Sequence, residues 1–334
     1  MQPVQSHIAS GRGASWFYVA AFVIAQTALL AFTFFIAGTP WFLWHNHYPG
    51  LRNFGYAHRA GGLNCEILIY GDSSSLTGFD PSVIQRITGL KTCNVSEGIT
   101  IQAVVGSDEP LRAYLSRNAP PRFLIATWTP SIFRPDFESG DAYFPEGFVY
   151  ALQFDDRKVF LRRMLHRPRW LVNFSIWTLE SLANGFLDEL TGKSRHQIDA
   201  RAQRDSRAGQ WPYPVPIETH CVRDNASITP DMVGRWQKSV ETFRRKYSSP
   251  RTTVIIDISP VPECDTTYGL YAERSEGLHE NPFERLPIRF FNQGDVHFSA
   301  EGANYISEQA GNQILSHMQL QSQSHQPLRT TIPR

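Results

Sequence analysis

The sequence predicts an α/β fold built on a parallel sheet, placed behind an N-terminal membrane segment. Three observations lead there. The runs Cys65–Tyr70, Arg122–Trp128 and Thr252–Ile258 are almost continuously apolar, as strands buried on both faces are. Helical patterns separate them, which is the signature of βαβ units. Finally, no charged residue occurs from Trp16 to Trp44, and Phe17–Ala37 is apolar apart from Gln26, Thr27, Thr33 and the Tyr18 hydroxyl.

The chain has 334 residues and a formal net charge of +1, a balance that gives no support for nucleic-acid binding. About 20 apolar residues cross a bilayer, and the N-terminal stretch supplies them. Trp16 and Tyr18 lie at one end and Trp41, Trp44 and Tyr48 at the other, as interfacial aromatics do. A cleavable signal peptide is the competing reading. The apolar core is long for one, and Ile36-Ala37-Gly38 is a poor cleavage site, so an uncleaved anchor is favoured. Arg12 precedes the span while Arg52 and Arg59 follow it, so flanking charge does not set its orientation. The expected organisation is a tail over 1–15, the anchor and its interface over 16–44, and a tether over 45–62. A domain over 63–318 with an insertion at about 130–228 follows, and then a disordered polar tail over 319–334.

Within the domain, the first strand ends at Gly71-Asp72-Ser73. Asp80-Pro81 supplies an N-cap and a first-turn proline for a short helix that Gly89 ends. Thr92–Ser96 is a second strand running to Glu97-Gly98. A helix over roughly 100–117 leads to Pro120-Pro121 and the third strand. Residues 130–228 break the rhythm and carry no strand pattern. They hold a basic cluster from Arg157 to Arg169 and an aromatic helical segment with Phe174, Trp177, Leu182, Phe186 and Leu190. Such interleaving can mark a membrane-surface segment or an anionic-ligand site, and a solvated helix face over a core face is the favoured reading of such a charge run. The region reads as an insertion packed on the sheet, with Arg201–Gln210 polar enough for a mobile loop. Order returns at Thr229-Pro230 with an amphipathic helix through Val233, Trp236, Val240, Phe243 and Tyr247. The fourth strand follows, and Pro287–Phe291 is the expected fifth, at an edge. Ser299 caps a final helix carrying Ala303, Ile306, Ala310 and Ile314 on one face.

The four cysteines, Cys65, Cys93, Cys221 and Cys264, contain no C-x-x-C pair, so zinc or thioredoxin chemistry is not indicated and no metal is expected. An even number suits disulfides in an oxidising compartment. If the first two strands are parallel neighbours, Cys65 and Cys93 sit together at the end away from Ser73. Cys221 lies within reach of Cys264. His45-Asn46-His47 carries no assigned function.

Open parallel sheets place their chemistry beyond the carboxyl ends of the strands. Ser73 after the first strand, and Asp295 and His297 after the last, would therefore share one rim. A neutral histidine takes a proton from a serine hydroxyl, and a carboxylate on its other nitrogen fixes the tautomer. Alone, Gly-Asp-Ser is a common polar turn. With an Asp-x-His pair opposite, it reads as a nucleophile.

On Gly71-Asp72-Ser73, Gly98 and Asp295-Val296-His297, the chain resembles the SGNH (GDSL-type) hydrolase superfamily over residues 63–135 and 228–318. The resemblance implies a three-layer αβα, flavodoxin-like fold with a five-stranded parallel sheet. It also implies Ser73 as nucleophile, His297 as base, Asp295 as its orienter, and the N–H groups of Ser73 and Gly98 as oxyanion donors. The family's asparagine after the third strand is missing; Trp128-Thr129-Pro130-Ser131 stands there, leaving Thr129 as the candidate substitute. The Asp-x-His spacing is also one residue shorter than in many members. Both departures are similar to the membrane-associated branch represented by alginate O-acetyltransferase and DltD-like proteins. That branch implies a single-pass protein of the cytoplasmic (inner) membrane with an extracytoplasmic catalytic domain. It implies a serine esterase or O-acyltransferase acting on a cell-envelope glycan or exopolysaccharide, with no cofactor and with a membrane-bound acyl-donor protein as a candidate partner. The alternatives are a catalytically silent domain that binds a glycan or an assembly partner, and a membrane-associated lipase.

Overall fold

The computed structural model describes residues 11–48, 51, 53–98, 108–129, 144–154, 165, 169–193, 195–211, 230–264, 284–292 and 297–324. Helix α1 (Gly11–Ala37) contains a stretch, Trp16–Ala37, long and apolar enough to cross a membrane. Its side chains are exposed from Trp16 to Leu29, and only the last two turns bury residues, Thr33 and Ala37 among them. Thr39 then caps α2 (Pro40–His45), its hydroxyl accepting from the Phe42 N–H at 3.3 Å. The stretch expected to be a tether is folded: Leu51, Phe54 and Tyr56 are buried, and a single turn, α3 (Tyr56–Arg59), packs on the domain. Its polar composition conceals apolar residues at a few inward positions.

The sheet begins with β1 (Ile67–Gly71), followed by α4 (Ser73–Gly78) and α5 (Pro81–Thr88). Asp80 and Gly89 cap α5 as its sequence requires, Gly89 with φ 71°. Next come β2 (Thr92–Asn94), α6 (Glu109–Leu115) and β3 (Phe123–Trp128). The inserted region holds α7 (Phe144–Phe154), α8 (Arg169–Leu190) and α9 (Arg195–Ser206). The chain then returns through α10 (Pro230–Tyr247) to β4 (Thr253–Ile258). These strands form a four-stranded, all-parallel sheet in the order β2-β1-β3-β4. One sheet face, with Leu68, Tyr70, Leu124, Ala126, Val254 and Ile256, packs on α3, α6 and α10. The other, with Ile67, Ile69, Phe123, Ile125 and Ile255, packs on α5 and the last helix. Alternation across a strand thus gives three layers.

The expected fifth strand does not form. After the short parallel pair β5 (Val261–Pro262) and β6 (Arg285–Leu286), residues Ile288–Phe290 make a 3-10 turn closed by Phe290 N–H to Pro287 C=O at 2.9 Å. Proline lacks the N–H a ladder needs. The chain then makes an antiparallel pair, β7 (Phe291–Asn292) with β8 (His297–Phe298), and α11 (Ala300–Ser324). Ser299 caps α11, its hydroxyl accepting from Gly302 N–H at 3.2 Å. Helix α11 runs to Ser324, beyond the expected start of a disordered tail at Gln319.

The insertion packs differently from expectation. Rather than covering the sheet, α7 and α8 join α1 and α2 in a separate core around Phe42, Phe148, Trp170 and Phe174. The supposed mobile loop at Arg201–Gln210 is the end of α9 and a tight turn, with Arg204 fully buried. Cys65 and Cys93 are bonded, with Cα atoms 5.8 Å apart, as strand adjacency requires. Cys264 is disulfide-bonded too; Cys221 lies outside the described residues.

Candidate active site

Gly71 closes β1 where no other residue fits. A Cβ there would lie 1.9 Å from the Thr127 carbonyl oxygen and 2.2 Å from Ser75 Oγ. Contact that close lets the Ser75 hydroxyl donate to Thr127 C=O at 2.6 Å, tying the start of α4 to β3.

Asp72 follows, fully buried, as the N-cap of α4. One carboxylate oxygen accepts from Ser74 N–H at 3.0 Å and Ser74 Oγ at 2.6 Å. The other accepts from Thr129 N–H at 2.7 Å and Thr129 Oγ1 at 2.9 Å. Four donors converge on this carboxylate and bridge the ends of β1 and β3. Asp72 is a brace rather than a proton acceptor. The bonds also fix Thr129: its hydroxyl has one hydrogen, and Asp72 takes it. In this arrangement Thr129 does not supply the missing oxyanion side chain.

Of the three consecutive serines, Ser74 and Ser75 are buried and bonded. Ser73 is half-buried, and no described residue hydrogen-bonds its hydroxyl. The turn therefore presents one serine and locks the other two.

Beyond β2 the chain keeps alongside β1. Val95 N–H bonds Ile69 C=O at 2.8 Å and Glu97 N–H bonds Gly71 C=O at 3.3 Å. This brings Gly98 level with the Ser73 turn. Buried Asn94 holds the arrangement, its amide donating to Ser75 C=O at 2.8 Å and its oxygen accepting from Ser96 N–H at 3.0 Å.

Behind this loop sits Arg204 from α9. Its guanidinium donates to Glu97 Oε2 at 2.8 Å, to Gly209 C=O at 3.0 Å, and to the carbonyls of Ser96 and Asn53, over the Tyr56 ring. Complete burial pushes the Glu97 carboxyl above its ordinary range, and Arg204 offsets part of that rise. Sequence reasoning missed Asn94, Glu97 and Arg204. Arg204 lies in a polar, charge-rich stretch that reads as solvated surface, and nothing local distinguishes it.

His297 is half-buried on β8, opposite Asn292. Strand β8 packs against α4, and a Cβ on Gly78 would come 2.6 Å from the Phe298 ring. The Ser73 helix and the His297 strand are therefore direct neighbours. Asp295 lies outside the described residues. No family model, curated protein or solved structure matches the chain. At the same sheet end an open cleft is lined by Phe79, Thr127, Asp257, Glu284, Gln309 and Gln313. Thr127 Oγ1 and Gln313 Oε1 are buried there without a hydrogen-bond partner among the described residues.

Proposed function

We propose that the chain is a membrane-anchored serine esterase or O-acyltransferase acting on acyl groups of a cell-envelope glycan. The observation that carries this reading is the selective presentation of Ser73 on a turn braced by Asp72, on a helix packed against the strand of His297. In the proposed reaction Ser73 Oγ attacks the ester carbonyl carbon while His297 takes its proton. The N–H groups of Ser73 and Gly98 stabilise the oxyanion. Collapse breaks the ester C–O bond, and His297 returns the proton to the leaving alcohol. A sugar hydroxyl or water then attacks the acyl-serine, giving its proton to His297, and Ser73 is regenerated. Asp295 is assigned to hold the imidazole.

Two features support an anchor over a removed leader. Thr33 Oγ1 and Ser175 Oγ share a buried hydrogen bond of 2.9 Å, and Gln153 Nε2 donates to Ala37 C=O at 2.9 Å and Thr39 C=O at 3.0 Å. The end of α1 is thus part of the folded domain. The bonded cysteines support an extracytoplasmic placement, with the span in the cytoplasmic membrane.

A second reading, a silent glycan-binding domain, is favoured by Thr129 being committed to Asp72. Loss of one oxyanion donor costs about 3–4 kcal/mol, so slow turnover is expected even of an active enzyme. A serine-directed fluorophosphonate probe on the detergent-solubilised chain separates the two. The expected result is labelling that Ser73→Ala abolishes and His297→Ala weakens; an unlabelled wild-type chain would favour the binding domain.

A further inference from the structure

Helix α8 leaves an apolar stripe uncovered. Val172, Ile176, Leu179, Phe186, Leu187 and Leu190 recur at helical spacing on one side, with exposures from 36% at Leu179 to 68% at Leu190. The opposite side is packed. Phe174 meets Phe34 with ring centroids 5.2 Å apart, Ser175 bonds Thr33, and Gly185 lies so close to α2 that a Cβ would sit 2.1 Å from the His45 carbonyl oxygen. His47 Nδ1 and Asp188 Oδ2, 2.6 Å apart, fasten the far end. The stripe is an uncovered face of a fixed helix.

What covers it follows from where α8 is fixed. Thr33 lies four residues before the end of the apolar span, about 6 Å along the helix axis. If α1 crosses a bilayer, Ser175 and the first half of α8 stand at the level where α1 emerges. The two turns of α1 that hold α8 also expose Phe32 and Phe35, so both helices present apolar side chains at this level.

We propose that α8 is a second membrane contact: an interfacial helix whose stripe lies in the leaflet from which the C-terminal end of α1 emerges. The domain would then be held at the bilayer along two helices, with a fixed tilt, instead of swinging on a single anchor. Interfacial helices bind in proportion to the apolar area they bury at the headgroup boundary. The inference rests on the reading of α1 as a span.

The test uses the full chain in vesicles of phosphatidylcholine and phosphatidylglycerol. Single cysteines replace Ile176, Phe186, Glu180 or, within α1, Phe22. Each carries an environment-sensitive fluorophore, with the unsubstituted chain as background; all four positions are exposed, so labelling leaves the packing intact. Brominated lipids should quench the labels at 176 and 186 several-fold more than the label at 180, and aqueous iodide should do the reverse. Iodide reaching 176 and 186 as readily as 180, with the label at 22 still quenched by bromolipid, would overturn the inference and leave the span standing. Failure of bromolipid to quench position 22 would remove both. Labels at 176 and 186 shielded from both quenchers would mean that protein covers the stripe, and would also overturn it.

Discussion

The sheet core and the helical core built on α1 are held together by different means. Around the sheet, backbone ladders fix register and buried polar groups are bonded to backbone: Asp72, Asn94 and Arg204 all work on main-chain atoms near Ser73. In the helical core, α1, α2, α7 and α8 meet through aromatic rings and a few side-chain bonds, and much of α8 is left apolar and uncovered. The first arrangement tolerates almost no displacement, as an aligned reactive group requires. The second fits the proposed contact with lipid. Changes on the sheet side should therefore alter Ser73 reactivity, and changes in the helical core should alter the proposed anchoring.

The largest effect should come from Gly71→Ala. Its methyl group would collide with a carbonyl oxygen in the central strands, so a loss of about 4 kcal/mol or more is expected, with no probe labelling of any residual folded chain. Denaturant unfolding and labelling read the two effects, and near-wild-type behaviour would break the comparison at its strongest point.

Arg204→Met comes next. It takes the donor from two groups of the loop before Gly98, Ser96 C=O and Glu97, and from Asn53 C=O, and it leaves Glu97 unpaired, costing about 3 kcal/mol, the low end for breaking a buried pair. Adding Glu97→Gln should recover part of the stability but not the labelling rate of Ser73, because Ser96 C=O and Asn53 C=O still lack their donor. Full recovery of the rate in the double variant would show that Arg204 serves stability alone.

A smaller and pH-dependent effect is expected at Asp108, which links α6 to α10. Burial raises its carboxyl, but hydrogen bonds from Lys246, Tyr247 and Arg112 outweigh that and hold it below its ordinary value of 3.8. A depressed carboxyl contributes stability that is present above the unfolded value and lost as pH falls through the folded one. Asp108→Asn should cost about 2 kcal/mol at neutral pH and flatten the acid limb of the stability curve below roughly pH 4. Equal losses at neutral and acid pH would contradict the assignment.

The smallest change is Thr33→Val, which removes the bond to Ser175 between α1 and α8. About 1 kcal/mol is expected, with Ser73 labelling unchanged. A slowed labelling rate would mean that the two cores are coupled more tightly than their packing suggests.

Much of the sheet side was legible before any coordinates. Ladder strands, the Asp80 and Ser299 caps, and the Cys65–Cys93 neighbourhood all follow from local pattern, since buried parallel strands are uniformly apolar and caps are short-range. The turn at Ser73 was legible as a turn, but the saturation of Asp72 was not, because Thr129 is distant in sequence. Pro287–Phe291 misled because two phenylalanines buried under α11 look like strand residues when the direction of burial is unknown. Arg204 was hidden for the converse reason. A charged residue in a polar stretch reads as surface unless its partners, here backbone carbonyls from two other segments, are known.

The central claim is that Ser73 carries an acyl group, and mass spectrometry of the chain quenched in acid during turnover of an activated acetyl ester tests it most directly. The account predicts a mass increment of one acetyl group on the peptide containing Ser73, absent in Ser73→Ala and accumulating more slowly in His297→Ala. An acetyl group found on another residue, or ester turnover that survives Ser73→Ala, would contradict it.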